Sequence, residues 1–437
     1  MQGDVMIPQS VFLIVAPVAP ARVSALRVLL DGMNFEPGIV DPHNPILPFG
    51  RFEQLHYARL VLIDDATMAD LELFGLPRPQ LPTQLALLGE CDGSAGELLK
   101  EFAQRAEPGL RQIFSHCEGF ALDTDLSAWI AAHSLPSAAV YVNRIGRTVD
   151  QVREEAALAR ALAAQVEREP PLPGTTASER RRALVDFARL QVRSGRLRLT
   201  PIPPTPFFWW LLDVIHAIGI PLIGLALLPL LILASPLIIY LLRTAERSDV
   251  EYCPRPSASA VLTMQKLEDH DLSNSFTAVG PVKPGLFRKL LLRALLVAID
   301  YGCRHIFNAG HLARVQTIHF ARWAYIDEGA RVLFISNYDG SHEAYMDDFI
   351  NKVAWGLNLV FSNGFGWPRT DWLVCGGARH ELRFKYYQRR HQIPTQVWYK
   401  AYPGLTLSDL ERNRRIREGL DAGDMNESAS LAWLRLL

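Results

Sequence analysis

Short apolar runs alternate with amphipathic stretches along most of the chain. Residues 11–15 (Val-Phe-Leu-Ile-Val) form a compact β-type run, and residues 21–33 carry apolar side chains at helical spacing. Residues 56–63 and 84–88 are further β-type runs that end in turn residues. Ser94-Ala95-Gly96-Glu97 has the spacing of a capping box and predicts a helix running past Phe102 and Phe114. Residues 138–142 read as a strand and 148–166 as a helix rich in Ala and Glu. The order β-α-β-β-α-β with a trailing helix predicts an α+β, ferredoxin-like unit over residues 11–170.

The pattern then recurs. Leu55-His56-Tyr57-Ala58-Arg59-Leu60-Val61-Leu62-Ile63-Asp64-Asp65 pairs with Ile318-His319-Phe320-Ala321-Arg322-Trp323-Ala324-Tyr325-Ile326-Asp327-Glu328, with five of eleven positions identical. Residues 91–120 align without a gap to 338–367, with nine of thirty identical, and each stretch reaches Asp-Gly-Ser at once (Asp92-Gly93-Ser94, Asp339-Gly340-Ser341). The flanks correspond as well, 16–20 with 280–284 and 136–148 with 394–406. Matches kept in one order imply an internal duplication. Repeat 1 then covers 11–170, repeat 2 covers 275–420, and 421–437 is a tail. An insertion at 66–82 stretches the His-to-Asp interval to 36 residues in the first copy, against 20 in the second.

Between the copies lie an Arg- and Pro-rich linker (171–206, including Pro201, Pro203, Pro204 and Pro206), an apolar block (207–242) and a second linker (243–274). From Ala217 to Leu242, 26 consecutive residues include no Asp, Glu, Lys, Arg or His. As a helix this stretch is about 39 Å long, more than the ~30 Å hydrocarbon core of a bilayer. Membrane lipid is therefore an expected partner. Arg180, Arg181, Arg182, Arg193, Arg196 and Arg198 precede the block and place repeat 1 on the cytoplasmic side of the membrane. Phe207-Phe208-Trp209-Trp210 suits an interfacial aromatic belt. Two copies that pack together lie on one side of the membrane, yet two full spans need about 40 residues. The block offers 36, interrupted by Pro221, Pro229 and Pro236. The expectation is a helical hairpin or shallow re-entrant anchor, with arms at 207–218 and 221–242. A single span and a buried soluble hairpin are the alternatives.

Composition removes several function classes. Among 437 residues, 45 Lys and Arg face 46 Asp and Glu, leaving a net charge of -1 and no global field to hold nucleic acid. The five cysteines (Cys91, Cys117, Cys253, Cys303, Cys375) are odd in number, widely spaced and without a CxxC pair, so neither a disulfide framework nor a zinc site is expected. The opening residues hold Asp4 and no basic stretch, so no secretory leader is expected.

The recurring residues are the first candidates for chemistry. His56 and Arg59 return as His319 and Arg322. Residues three apart on a regular strand face opposite sides, so one of each pair is expected to face helices or solvent unless a bulge intervenes. The structural reading pairs Arg59 or Arg322 with Asp64 or Asp327; the functional one makes His319, Arg322 and Asp339 catalytic. Asp92 and Asp339 stand before Gly and Ser, as turn-and-cap residues do. Repeat 2 is richer in aromatic and basic residues. Asn337, Tyr338, Trp398, Tyr399, Lys400 and Tyr402 are the candidate ligand-binding set, for an apolar or lipid-derived small molecule.

The strings Ile318-His319-Phe320-Ala321-Arg322-Trp323, Ser336-Asn337-Tyr338-Asp339-Gly340-Ser341 and residues 397–406 (Val-Trp-Tyr-Lys-Ala-Tyr-Pro-Gly-Leu-Thr) resemble a bacterial membrane-associated family over roughly 270–420, a likeness that carries no activity with it. Two ferredoxin-like units also resemble the dimeric α+β barrel superfamily, which implies two sheets packed face to face as a pseudo-dimer. Gly89-Glu90-Cys91-Asp92-Gly93 is similar to the GxxDG string of dye-decolourising peroxidases, where the aspartate works on the distal side of a haem. That resemblance implies a haem-dependent, peroxidase-like oxidoreductase. The proximal ligand would come from His305, His311, His319, His342, His380 or His391. A non-catalytic, membrane-anchored scaffold for a protein partner is the alternative.

Overall fold

The computed structural model describes residues 9–64, 66–170, 172–201 and 204–437. Met1 to Pro8, Asp65 of the first repeated string and Pro203 of the hinge lie outside the described residues.

The chain is mixed α+β with antiparallel sheets. Its first part runs β1 (Gln9–Pro17), α1 (Val23–Asp31), a short hairpin of β2 (Asn34–Glu36) and β3 (Ile39–Val40), β4 (Leu55–Ile63) and β5 (Gln84–Asp92). It continues through α2 (Ala95–Arg105), α3 (Glu107–Phe114), α4 (Leu126–His133), β6 (Ser137–Val142) and α5 (Val149–Arg168). Helices α6 (Ala177–Arg193), α7 (Phe207–Ser248) and α8 (Ala258–Gln265) follow. The last part comprises β7 (Ser273–Pro281), α9 (Leu286–His305), β8 (Ile318–Ile326), β9 (Arg331–Asp339), α10 (His342–Lys352) and α11 (Ala354–Phe361). After a second short hairpin, β10 (Thr370–Asp371) and β11 (Cys375–Gly376), come α12 (Glu381–His391), β12 (Thr395–Lys400), α13 (Leu407–Asp421) and α14 (Glu427–Leu434).

Local chemistry sets the helix ends. Ser94 and Ser341 accept the backbone N–H of Glu97 and Ala344 and open α2 and α10. The preceding Gly93 and Gly340 sit at φ +69° and +86°, a conformation that glycine adopts without strain. The helix expected to reach Phe114 breaks at Ala106, because Pro108 belongs to the first turn of a new one. Strand β12 stops at Lys400, since Pro403 and Gly404 turn the chain and Thr406 caps α13 through a capping box with Asp409. The linker 171–206 is not all irregular. Its helix α6 packs with α5, α13 and α14 around Leu158, Leu162, Leu184, Ile416 and Trp433.

Each sheet has four strands, in the orders β1-β5-β4-β12 and β6-β8-β9-β7. In both, three strands come from one half of the chain and the edge strand from the other: β12 pairs with β4, and β6 with β8. The sheet edges also meet, where Ile393 N donates to Thr277 O and Leu135 N to Leu13 O, both at 2.8 Å. Between the sheets lies an apolar cluster that includes Leu13, Val61, Leu88, Val279, Ile326, Leu333 and Ile335. Helices cover the outer faces, with separate cores around Phe52, Phe102 and Trp129 on one side and Phe349, Trp367 and Phe384 on the other.

The apolar block corrects one expectation. It is a single 42-residue helix, α7, rather than a hairpin. Pro221, Pro229 and Pro236 each remove one backbone donor, but their spacing of eight and seven residues leaves full helical turns between them. The helix is long and apolar enough to cross a membrane, and residues 221–233 are uniformly exposed. Both of its ends are tied to the folded body. Asp213 meets Arg304 at 2.6 Å, and His216 meets His305 at 2.8 Å. At the far end the buried Glu246 accepts the N–H groups of Trp372 and Leu373, and Asp249 bridges Lys283 and Arg288 at 2.7 and 2.8 Å.

Candidate functional site

The repeated histidines sit on β-bulges. The register of β4 against β5 shifts between Leu55 and Tyr57, and that of β8 against β9 shifts between Ile318 and Phe320. The extra residues are His56 and His319. Alternation is broken at those points, so each histidine and the arginine three residues later are all directed between the sheets, which corrects the opposite-face expectation. His56 lies against the Phe320 ring of the facing sheet, and Arg59 reaches across to Phe276 O at 3.0 Å and Ser336 O at 3.1 Å.

Both arginines reach from one sheet to the other. Arg59 also binds Thr277 and Asn337, while Arg322 donates to Phe12 O at 2.8 Å and lies 3.4 Å from Glu90. Asn337 Nδ2 in turn donates to Glu90 at 3.0 Å. The expected pairing with Asp64 or Asp327 does not form; Asp327 holds Arg331 at 2.5 Å. Desolvation pushes Arg59 down to about 10 although Glu90 works against it, and it lowers Arg322 in the same way. Arg59 and Asn337 are thus fastened into an inter-sheet clamp, and Arg322 is held in it through Nη1, while its buried Nε and Nη2 make no hydrogen bond.

The histidines belong to a second network. His56 Nε2 meets Asp92 Oδ1 at 2.9 Å and its Nδ1 meets the Tyr402 hydroxyl at 3.0 Å. His319 Nε2 meets Asp339 Oδ1 at 2.6 Å and its Nδ1 meets the Tyr57 hydroxyl at 3.0 Å. The other oxygen of each aspartate accepts the first N–H of a helix, Val149 for Asp92 and Leu407 for Asp339. Each aspartate therefore orients a histidine and anchors a distant helix, α5 or α13, while the neighbouring serine caps the helix next door. Burial is the main reason that both tyrosines are held well above the usual phenol range.

His56, His319 and Tyr402 border a cavity of about 530 Å³ at one end of the two sheets. Its remaining wall is strongly basic. Arg144 and Arg147 come from the turn before α5, Arg412 and Arg415 from α13 and His311 from the loop before β8, with Glu411 the one carboxylate among the lining residues. Arg147 is bound to Glu155 and to Leu410 O, Arg144 reaches Glu411 at 3.2 Å, and Arg412 and Arg415 are exposed. Such a surface can hold an anionic oxygen by charge-assisted hydrogen bonds.

The other sequence candidates are scattered. Tyr338 stacks on Tyr345 with ring centroids 3.9 Å apart, in the core beneath α10. Trp398 is buried with its ring under Lys400, whose ammonium binds Asp271. Tyr399 stacks on Phe49 at 5.5 Å. Of the six candidate ligand-binding residues, Tyr402 alone borders the cavity. The cavity is also shared by both halves rather than lying in the second. Sequence reasoning missed Tyr57 and the arginines. The run Glu411-Arg412-Asn413-Arg414-Arg415 was their visible signal, since its basic residues fall on more than one face of a helix.

The histidines are not arranged to hold haem. Both ring nitrogens of His319 are engaged, His305 is bound to His216, and His391 Nδ1 meets Tyr387 O at 2.9 Å. His342 is sealed in the core, and His311 and His380 are exposed. Among the described residues, no group of three or more His, Cys, Asp or Glu side chains is placed to hold a metal ion. Comparison with known protein families, curated proteins and solved structures finds no match for this chain.

Proposed function

We propose that the chain is a duplicated pair of ferredoxin-like units, closed as a pseudo-dimeric α+β barrel, that binds an anionic, lipid-derived small molecule at a membrane surface. The carrying observation is the cavity with four arginines and two oriented histidines in its wall, in a chain whose longest helix is apolar and uncovered. Equivalent strand orders in the two sheets, each completed by a strand from the other half, support the duplication. The basic lining shifts the reading from an apolar ligand to one with a charged head.

Helix α7 is the membrane anchor in this reading. Arg304 near one end and Lys283 and Arg288 near the other belong to one folded body, which supports a same-sided arrangement with the helix bowed into the cytoplasmic face of the bilayer. Dodecyl phosphate and dodecanol are suitable probes. The phosphate should bind and the alcohol should not, and Arg412→Ala with Arg415→Ala should weaken phosphate binding about 10-fold or more, since each charge-assisted hydrogen bond contributes ~1.5–3 kcal/mol. Equal binding of both probes, or of wild type and variant, would dismiss the anionic-ligand reading.

A further inference from the structure

Helix α9 is fixed to α7 at both ends, yet the two stretches differ in length. Arg304, in the last turn of α9, binds Asp213, and the Tyr301 hydroxyl donates to Ala217 O at 3.2 Å. Arg288, in its first turn, binds Asp249 just past the other end of α7. From Asp213 to Asp249 a helix rises about 54 Å, whereas from Arg288 to Arg304 it rises only about 24 Å. Two ion pairs do not bridge that difference, so α7 leaves α9 and returns to it in a bow, with Pro221, Pro229 and Pro236 to bend it. Residues 221–233 are exposed without interruption, and a run of that length takes in every face of a helix. No side of this stretch packs on the folded body.

The face of α9 left uncovered by the bow is apolar. Leu286, Leu290 and Val297 are 73%, 52% and 50% exposed. Their spacing puts them on one face with Tyr301 and Arg304, the two residues that hold the start of α7. Along the flank of this face run Lys289 and Arg293, four residues apart and both exposed. The other charges of the helix are committed: Arg288 to Asp249, Arg304 to Asp213, and Asp300, its one carboxylate, to the N–H of Val140 at 3.0 Å. Exposed tryptophans mark both attachment points of α7. Trp210 stands at its start, and Trp372 lies under the Arg243 guanidinium at its far end.

We infer that α9 is a second lipid-contacting helix, lying in the interface of the bilayer that takes up α7, with Leu286, Leu290 and Val297 among the upper acyl chains and Lys289 and Arg293 against anionic headgroups. An apolar stripe flanked by basic residues is the pattern of an interfacial helix. The aliphatic stems of Lys289 and Arg293 lie along the apolar surface while their charges reach outward to the headgroups. Indole rings settle at headgroup depth, so Trp210 and Trp372 set the level of the interface at the two ends of α7, and α9 runs between those ends. A second copy of the chain fits the same face poorly. Two α9 faces brought together would set basic rows against each other, with the single carboxylate of each already bound. The inference rests on reading α7 as the membrane anchor, and extends it by placing a helix of the folded body in lipid.

The test uses full-length protein reconstituted in vesicles of phosphatidylcholine and phosphatidylglycerol, with Cys253→Ser and Cys375→Ser removing the thiols that are not buried. A polarity-sensitive fluorophore is attached through Leu290→Cys or Val297→Cys, all at exposed positions, with Leu227→Cys in α7 and Leu122→Cys in the other half as references. A nitroxide lipid labelled near the top of its acyl chain should quench the probes at Leu290 and Val297 by about half or more and leave the probe at Leu122 unchanged. A nitroxide near the chain end should quench the probe at Leu227. Omitting phosphatidylglycerol, or combining Lys289→Gln with Arg293→Gln, should weaken the quenching at α9; equal quenching in every case would overturn the headgroup contact. If the probes at Leu290 and Val297 behave like that at Leu122 while Leu227 is quenched, α9 lies in water and the proposal falls although the anchor stands. If Leu227 is unquenched as well, the anchor reading falls with it. Shielding of α9 from both nitroxide lipid and aqueous iodide would show a protein surface covering that face and would overturn the proposal equally.

Discussion

The clamp between the sheets makes an asymmetric claim about stability. Arg59 and Arg322 are both about 1% exposed, and Glu90 is 2% exposed. Two guanidinium charges thus share one carboxylate, with neutral Asn337 standing where a second carboxylate would restore balance. Arg322→Met removes one charge and leaves Arg59 with Glu90 as a matched pair. What is lost is the hydrogen bond to Phe12 O at 2.8 Å and the contact with Glu90, at a cost of about 1–3 kcal/mol. Glu90→Gln keeps the shape and an acceptor for Asn337 but strands two buried cations with no counter-charge. Breaking a buried pair in that way costs about 3–5 kcal/mol. Arg59, already pushed down to about 10 by burial with Glu90 holding it up, would be driven further toward the neutral form. Denaturant unfolding in mild detergent, followed by tryptophan fluorescence, ranks the two variants against wild type. The reasoning fails if Glu90→Gln is no more destabilising than Arg322→Met, because the single carboxylate would then not be neutralising the pair.

Three other outcomes follow from individual residues. His342 is buried, neither ring nitrogen has a hydrogen-bond partner, the Glu343 carboxylate stands 3.7 Å away, and burial together with Arg389 and Lys385 lowers its pKa to about 3. Below its ordinary value of about 6.5 the unfolded chain takes up a proton that the folded chain refuses, so stability should fall as pH drops from about 6.5 to about 3, by at most on the order of 5 kcal/mol. His342→Phe should flatten that slope, and an unchanged acid limb in a melting series would contradict it. Exposed Cys375, and a cysteine introduced by Leu122→Cys at a fully exposed site of the other half, should react with an impermeant thiol reagent from the same face of sealed vesicles; labelling from opposite faces would rule out the same-sided anchor. Gly419 packs so closely on Trp433 that a Cβ would lie 2.0 Å from the indole ring, so Gly419→Ala should release α14 and expose the helix to limited proteolysis, whereas intact resistance would refute that packing.

Much was legible from residue order alone. Short apolar runs marked β1, β4, β5 and β6 to within a few residues, and serine and threonine at the turns marked the starts of α2, α5 and α10. These features are local: pleat, capping and turn chemistry act within a few residues. The recurrence of His, Arg and Asp at matching places also singled out His56, His319, Asp92 and Asp339, which the fold does bring together in pairs. Bulge positions were not legible, because one extra residue in a ladder leaves no mark in composition, and the bulge is what turns both His and Arg inward.

The sequence by itself determined the alternating elements, the 26-residue uncharged block and the residues that recur, since each depends on side chains close in the chain. Tertiary structure alone decided their roles. It exchanged β6 and β12 between the sheets and so carried Tyr402 to His56, 346 residues away. It spent Arg59 and Asn337 on clamping sheet to sheet, and placed arginines from the turn before α5 and from the distant α13 around one cavity. It also kept the apolar block as one helix with both ends bound to the same body. The physical reason is common to all three: partners hundreds of residues apart are chosen by which buried donors, acceptors and charges must be satisfied together, and that condition exists only once the chain has closed on itself.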